Sequence, residues 1–178
     1  MNKYLLDVYN PFKVEFLYGK GSTLFDKKGN DYIDFTSGIG VSCLGHGNKK
    51  LVETISKQAK KFLHLSNIYP INTQEECAKK VAALSGYKNM QGFFCNSGAE
   101  ANETAIKFIR KYAKSKGIKK HNIITLENSF HGRTIATLNA TGQKDKQLGF
   151  EPFPNEFIYA KNLEIGRASC RERVFLPV

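Results

Sequence analysis

The 178-residue chain has no tryptophan, two methionines, five prolines and four cysteines. Acidic side chains are few beside the basic ones, 16 Asp and Glu against 27 Lys and Arg, for a formal net charge of +11. No run of 18 apolar residues occurs, which excludes a conventional helical membrane span, and no charged–apolar–small N-terminal pattern marks a secretory leader. Cys43, Cys77 and Cys95 form no Cys-x-x-Cys pair. They read as reduced thiols of a cytoplasmic protein, not as a disulfide framework. His46, His64, His121 and His131 are scattered, so metal-site spacing is missing too. At 41% hydrophobic and 12% aromatic the chain is nonetheless a globular one.

The positive charge has two readings. Lysines cluster at Lys49-Lys50, Lys57-Lys60-Lys61, Lys79-Lys80 and from Lys107 to Lys120. A lysine-rich nucleic-acid module would use them on phosphates, with binding that weakens as salt rises. Their spacing instead places most on the outer faces of amphipathic helices, and no stacking aromatics are interleaved with an Arg cluster. The solvated-face reading is preferred, and neither a nucleic-acid nor a membrane partner is expected.

Hydrophobic periodicity outlines the elements. Phe12 to Tyr18 alternates as a strand, and Thr23–Phe25 with Tyr32–Phe35 flank the Lys27-Lys28-Gly29-Asn30 turn as a hairpin. Lys50 to Leu65 carries Leu51, Ile55, Ala59 and Phe62 at helical spacing. Thr73-Gln74-Glu75-Glu76 reads as a capping box opening a helix to Leu84, with Cys77, Val81 and Leu84 inward. Gln91–Phe94 reads as a short buried strand, and Ala99 to Lys116 as a helix with Ala101, Ala105, Phe108, Ile109 and Tyr112 on one face, ended by Gly117. Asn122–Leu126 reads as a further buried strand. Strand, helix and strand in that order predict a βαβ unit, whose carboxyl edge is where ligands bind.

Chemistry concentrates at two places on that edge. Between the first strand and the helix stands Cys95-Asn96-Ser97-Gly98-Ala99-Glu100-Ala101-Asn102-Glu103. Small residues at a helix start let an anion approach backbone N–H groups, and the helix dipole favours negative charge there. After the second strand comes Ser129-Phe130-His131-Gly132-Arg133-Thr134. A phosphate cradle beside a stacking ring (Phe130) and a bidentate guanidinium (Arg133) suits a phosphorylated aromatic cofactor and a carboxylate substrate.

These two motifs together resemble the class III (ornithine-type) aminotransferases. Gly21–Asp26 through Gly29–Phe35 is similar to the family's opening hairpin. Thr36-Ser37-Gly38-Ile39-Gly40-Val41, Leu44-Gly45-His46-Gly47 and Ser66-Asn67-Ile68-Tyr69 are similar to its segments that face the active site. The resemblance covers about residues 4 to 162. It implies an α/β chain of the pyridoxal-phosphate transferase fold type I, N-terminal part only. Residues 1–65 would be a small-domain segment and linker, 66–162 the start of the cofactor-binding large domain, and 163–178 a non-native tail. It implies pyridoxal 5′-phosphate as cofactor, bound at Ser97, Gly98, Ala99 and Phe130, with Arg133 on the substrate carboxylate. His131 receives no chemistry. An amino-acid substrate, 2-oxoglutarate and a homodimeric parent are also implied. The Phe-His-Gly-Arg-Thr form points to the terminal amine of an acylated ornithine, with ornithine, succinylornithine and 4-aminobutyrate as alternatives.

The sequence departs from the family in what it does not contain. The family's cofactor-bearing lysine, and the acidic partner of the pyridine nitrogen, both lie downstream of Phe-His-Gly-Arg-Thr at positions past Val178. None of Asp7, Asp26, Asp31, Asp34 and Asp145 is followed by Glu, as that partner would be. No catalytic residue is therefore expected in this chain, which reads as a fragment, inactive and poorly soluble by itself. Basic-residue usage also changes abruptly: residues 1–162 hold 22 Lys and two Arg, whereas residues 163–174 hold three Arg and no Lys. The stretch from Glu164 to Val174 resembles a translated sequencing adaptor and is set aside.

Overall fold

The computed structural model describes residues 4–87, 89–119 and 121–161. The tail expected at 163–178 lies outside the described residues. The chain divides between Ile71 and Asn72 into two compact units, a little beyond the boundary expected at residue 65.

The first unit is built on a three-stranded antiparallel sheet in the order β1 (Phe16–Lys20), β2 (Thr23–Asp26), β3 (Asp31–Ile33). Asp26 makes the hairpin turn. Its carboxylate accepts from the backbone N–H groups of Lys28 and Asn30, both at 2.9 Å, and from the Asn30 amide and Tyr32 hydroxyl. Gly29 supplies the positive φ the turn requires. The strand expected from Phe12 starts only at Phe16, because the register pairs Phe16 with Asp26, the last residue of β2. Helix α1 (Lys49–Ala59) is capped by Asn48, whose side chain accepts from Leu51 N–H at 3.1 Å. It stops short of the expected Leu65. One further helical bond, Phe62 N–H on the Gln58 carbonyl, follows its end, and the Gln58 side-chain amide donates to the Phe62 carbonyl at 3.2 Å. The expected apolar face at Leu51 and Ile55 stays exposed.

The second unit opens with α2 (Asn72–Ser85). Thr73 lies inside the first turn, so the expected capping box is not the helix start. The half-buried stripe is Gln74, Ala78, Ala82 and Ser85, while Cys77, Val81 and Leu84 face outward. Small side chains explain the choice: a Cβ on Gly92 would come within 3.1 Å of Ala78 Cβ, a backbone approach that larger residues would block. Gln91–Phe94 forms no strand. The only parallel ladder among the described residues joins β4 (Ile123–Leu126) to β5 (Phe157–Ala160), and this segment takes no part in it.

Helix α3 (Gly98–Ser115) buries Ile106 and Ala113. Phe108 and Tyr112, expected inward, are 67% and 60% exposed. The buried stripe runs through Asn102, Ile106, Ile109 and Ala113, a quarter-turn away from the expected one. Gly117 ends the helix at φ 67°, with Ile118 N–H on the Ala113 carbonyl at 2.9 Å. The βαβ unit exists as β4, α4 (Ile135–Ala140) and β5, in register from Ile123 with Phe157 to Leu126 with Ala160. Ile106, Ala113, Ile123, Leu138 and Ala140 form its core. Arg110 donates two hydrogen bonds to the Glu156 carboxylate, tying α3 to the start of β5.

Candidate active site

The start of α3 is shaped by two reciprocal hydrogen bonds. Ser97, with extended backbone, accepts from Glu100 N–H at its Oγ (3.2 Å). The Glu100 carboxylate turns back to accept from Asn96 N–H (2.6 Å) and the Asn96 side-chain amide. The N–H groups of Gly98 and Ala99 fall in the first turn, where no carbonyl precedes them to accept. A Cβ built on Gly98 meets nothing within 4 Å. Among the described residues the helix start therefore has donors without acceptors, open space above Gly98 and an 18-residue helix dipole behind.

The second motif is bound directly to this helix start. Asn102 donates its side-chain amide to the His131 carbonyl at 2.8 Å, and Thr134 Oγ1 donates to the Glu103 carboxylate. Gly132, at φ 137°, packs so closely that a Cβ there would lie 2.8 Å from Ala99 Cβ and 2.5 Å from Thr137 Oγ1. His131 N–H donates to Thr141 Oγ1 at 3.0 Å. These contacts bring Ala99 and the Phe130–Thr134 loop together, as the pairing of the motifs anticipates.

The side chains of the loop divide by environment. Phe130 is 55% exposed and carries the Arg133 guanidinium over its ring, 5.6 Å from the centroid. His131 is 9% exposed, and its Nε2 has no hydrogen-bond partner among the described residues. Burial pushes the imidazole below its ordinary value, so it is neutral at pH 7. The supporting roles of Asn102, Glu103, Thr134 and Thr141 went unread in the sequence. Asn102 lies off the apolar stripe expected for α3, so no local pattern marked it.

The segments expected to face a ligand in the first unit are also described. Within Thr36–Val41 the residues Ser37 to Gly40 form a turn of positive φ, and Leu44–Gly47 adds an isolated bridge to the sheet through His46 and Gly21. Tyr69 N–H closes a turn on Ser66 O at 3.0 Å. Cys43, Cys77 and Cys95 are free and exposed. Among the described residues no group of three His, Cys, Asp or Glu could hold a metal ion, and no helix is long and apolar enough to cross a membrane.

A capped helix start tied to an aromatic–imidazole–guanidinium loop that follows β4 is an arrangement able to receive an anionic ligand. The chain belongs to the class-III aminotransferase family, whose model matches residues 7–172. Its relatives give the finer likeness. It is 52% identical over 164 residues to the acetylornithine aminotransferase of Wolinella succinogenes, covering 91% of this chain and 42% of that protein. It is 48% identical to the acetylornithine aminotransferase of Aquifex aeolicus, covering 89% of this chain and again 42% of the relative. The chain thus spans about two-fifths of the length of these curated relatives. Among solved structures, the ornithine aminotransferase of Toxoplasma gondii superposes with a TM-score of 0.84 at 28% identity, covering 92% of this chain and 39% of the other. An omega transaminase from Pseudomonas jessenii, in complex with PMP, gives 0.79 at 26% identity over 89% of this chain and 37% of the other.

The family uses pyridoxal phosphate, and the residues present fit that group. The space over Gly98 is space that a Cβ would fill and a phosphate can occupy. The Phe130 ring offers exposed surface to a planar heterocycle, and His131 Nε2 is a buried polar atom without a partner.

Proposed function

We propose that the protein carrying this chain is an aminotransferase that moves the terminal amino group of N-acetylornithine to 2-oxoglutarate, a step of arginine biosynthesis, with pyridoxal 5′-phosphate as cofactor. The observation that carries the reading is the contact of Gly132 with Ala99, which locks the phosphate cradle to the Phe130–Arg133 loop. The 45–52% identity to three acetylornithine aminotransferases favours that substrate over ornithine, succinylornithine or 4-aminobutyrate. A cytoplasmic homodimer is proposed with it.

In this reading the Gly98 and Ala99 N–H groups, with Ser97 beside them, hold the cofactor phosphate. Phe130 covers the pyridine ring and fixes its plane. Arg133 binds the substrate carboxylate through two parallel N–H donors, which sets the substrate's orientation. Bound pyridoxal phosphate supplies the electron sink that makes the proton beside the amine acidic. The residues that bond covalently to the cofactor and move that proton are proposed to lie outside these 178 positions.

The test is a family-length form of the protein, assayed with acetylornithine, ornithine and 4-aminobutyrate against 2-oxoglutarate. Glutamate formation fastest with acetylornithine is expected. Preference for 4-aminobutyrate, without turnover of acetylornithine, overturns the assignment.

A further inference from the structure

Phe130 and Arg133 are exposed side chains whose recorded contact is with each other, the guanidinium 5.6 Å from the ring centroid. Their placement must therefore come through the backbone that carries them. That backbone is fastened to α3 at a point beside each. The His131 carbonyl, next to Phe130, accepts from the Asn102 side-chain amide at 2.8 Å. Thr134, next to Arg133, donates its hydroxyl to the Glu103 carboxylate.

The helix does not account for either side chain. Asn102 is a half-buried polar residue inside a helix, one turn before buried Ile106, where alanine would serve the helix better. Glu103 stands past the first turn of α3, beyond the reach of the positive end of the dipole. Each reaches the loop instead. Around His131 both peptide units are held, since its N–H also donates to Thr141 Oγ1 at 3.0 Å. Gly132 cannot slide, because its Cα packs against Ala99 and Thr137 too closely to admit a Cβ. At the other point Glu103 sets a direction. A carboxylate only accepts, so the Thr134 proton goes to Glu103. The Thr137 hydroxyl, 2.6 Å away, then donates to Thr134 Oγ1, and Thr137 Oγ1 accepts from Thr134 N–H at 3.1 Å. Glu103 thereby orders the hydroxyl pair that opens α4.

We propose that Asn102 and Glu103 are positioning residues with separate charges. Asn102, through the His131 carbonyl, sets the Phe130 ring against the cofactor. Glu103, through Thr134, sets Arg133 against the substrate carboxylate. The identity of the two ligands rests on the proposed transaminase reading, whereas the fastening does not.

Three measurements on a family-length form of the protein test this. The first is amide hydrogen exchange in the apoprotein at His131 and Thr134, with Ile123 as reference because its N–H donates to Glu156 O at 2.7 Å. Asn102→Asp keeps the shape and removes the donor, and is expected to speed exchange at His131 about tenfold while Ile123 is unchanged. Glu103→Ala is expected to do the same at Thr134. Glu103→Gln keeps an acceptor but removes the charge that also acts on Arg110, and is expected to restore protection. The second measurement is titration with pyridoxal phosphate, followed by the circular dichroism of the bound cofactor. Asn102→Asp is expected to raise Kd about tenfold and weaken the dichroism, and Glu103→Ala to change neither. The third is steady-state kinetics at saturating cofactor. Glu103→Ala is expected to raise KM for the amino donor about tenfold at unchanged kcat, with recovery in Glu103→Gln and no KM change in Asn102→Asp. Lys111→Ala, on the exposed side of the same helix, is the neutral control.

Exchange that is unchanged in the folded variants, or that quickens equally at Ile123, overturns the fastening. Unmoved Kd and dichroism in Asn102→Asp overturn its role toward the cofactor, and an unmoved KM in Glu103→Ala overturns that of Glu103. If both variants shift both constants alike, the division of roles is wrong. A wild-type protein that takes up no pyridoxal phosphate overturns the transaminase reading instead, and the exchange result then decides the fastening by itself.

Discussion

Single residues in this chain separate structural from chemical constraint, and three glycines show how. Gly142 has no room: a Cβ there would lie 2.1 Å from the Leu126 carbonyl oxygen and 2.8 Å from Glu127 Cα. Gly142→Ala is expected to destabilise the second unit by about 1–3 kcal/mol or more, because backbone must move to admit it. Gly98 has the opposite surroundings, open space and a helical position. Gly98→Ala is expected to leave stability within about 0.5 kcal/mol while lowering affinity for pyridoxal phosphate about tenfold in a family-length protein. Paired urea melts and cofactor titrations check both. Loss of stability in Gly98→Ala would mean that the cradle is a packing feature. Gly132 is intermediate, since its neighbours are Thr137 Oγ1 and Ala99 Cβ, so replacing it disturbs fold and site together. Carboxylates supply a second residue-scale expectation. Hydrogen bonds, from Asn30 first for Asp26 and from His46 first for Asp34, hold both carboxyls below their ordinary value of 3.8. The unfolded chain then takes up protons first as pH falls, so this stability is present above about pH 4 and is lost through the lower folded values. Tyrosine-monitored melts of the first unit between pH 5 and 2 are expected to show the loss, with a shallower slope in Asp26→Asn. A melting temperature independent of pH over that range would remove these carboxylates from the stability of the hairpin.

At the scale of elements, α3 shows how packing overrides a plausible periodicity. Its sequence offers two neighbouring apolar stripes, and only the one through Ile106 and Ala113 is buried in a helix that packs on α4. Ile106 is 1% exposed and Phe108 is 67% exposed. Ile106→Ala is expected to cost about 2–5 kcal/mol, whereas Phe108→Lys is expected to change stability by about 0.5 kcal/mol or less. Equal effects in denaturant melts would restore the stripe through Phe108 and Tyr112. The βαβ unit teaches a related lesson. Strand, helix and parallel strand were expected from Gln91, but the ladder that forms joins Ile123–Leu126 to Phe157–Ala160. A parallel strand needs a neighbour in register, and apolar content alone does not supply one.

On the scale of the whole molecule, the exposed apolar surface decides behaviour in solution. Phe93, Phe108 and Tyr112 are each more than half exposed within the second unit, and Phe35, Ile39 and Val41 are so within the first. Surface of this kind on a soluble protein marks an interface or an aggregation hazard. The 178-residue chain expressed alone is expected to bind an apolar dye and to self-associate, measured by dye fluorescence and light scattering. A monodisperse monomer without dye enhancement would show that these side chains are covered in solution.

How much was legible follows from the range of the forces involved. The hairpin at Asp26–Asp31, the end of α3 at Gly117 and the cradle at Ser97–Ala99 depend on turn chemistry, caps and backbone freedom within a few residues, so the sequence by itself determined them. It also determined the family, because the two motifs are local strings. Tertiary structure alone decided which face of α2 and α3 is buried and which strand β4 pairs with. It also decided that Asn102 and Glu103 fasten the Phe130–Thr134 loop, and that Asp34 meets His46 across a turn. Each of these depends on groups far apart in the chain, whose approach is set by the steric fit of Ala78, Ala99, Gly132 and their neighbours, and no local pattern encodes that fit.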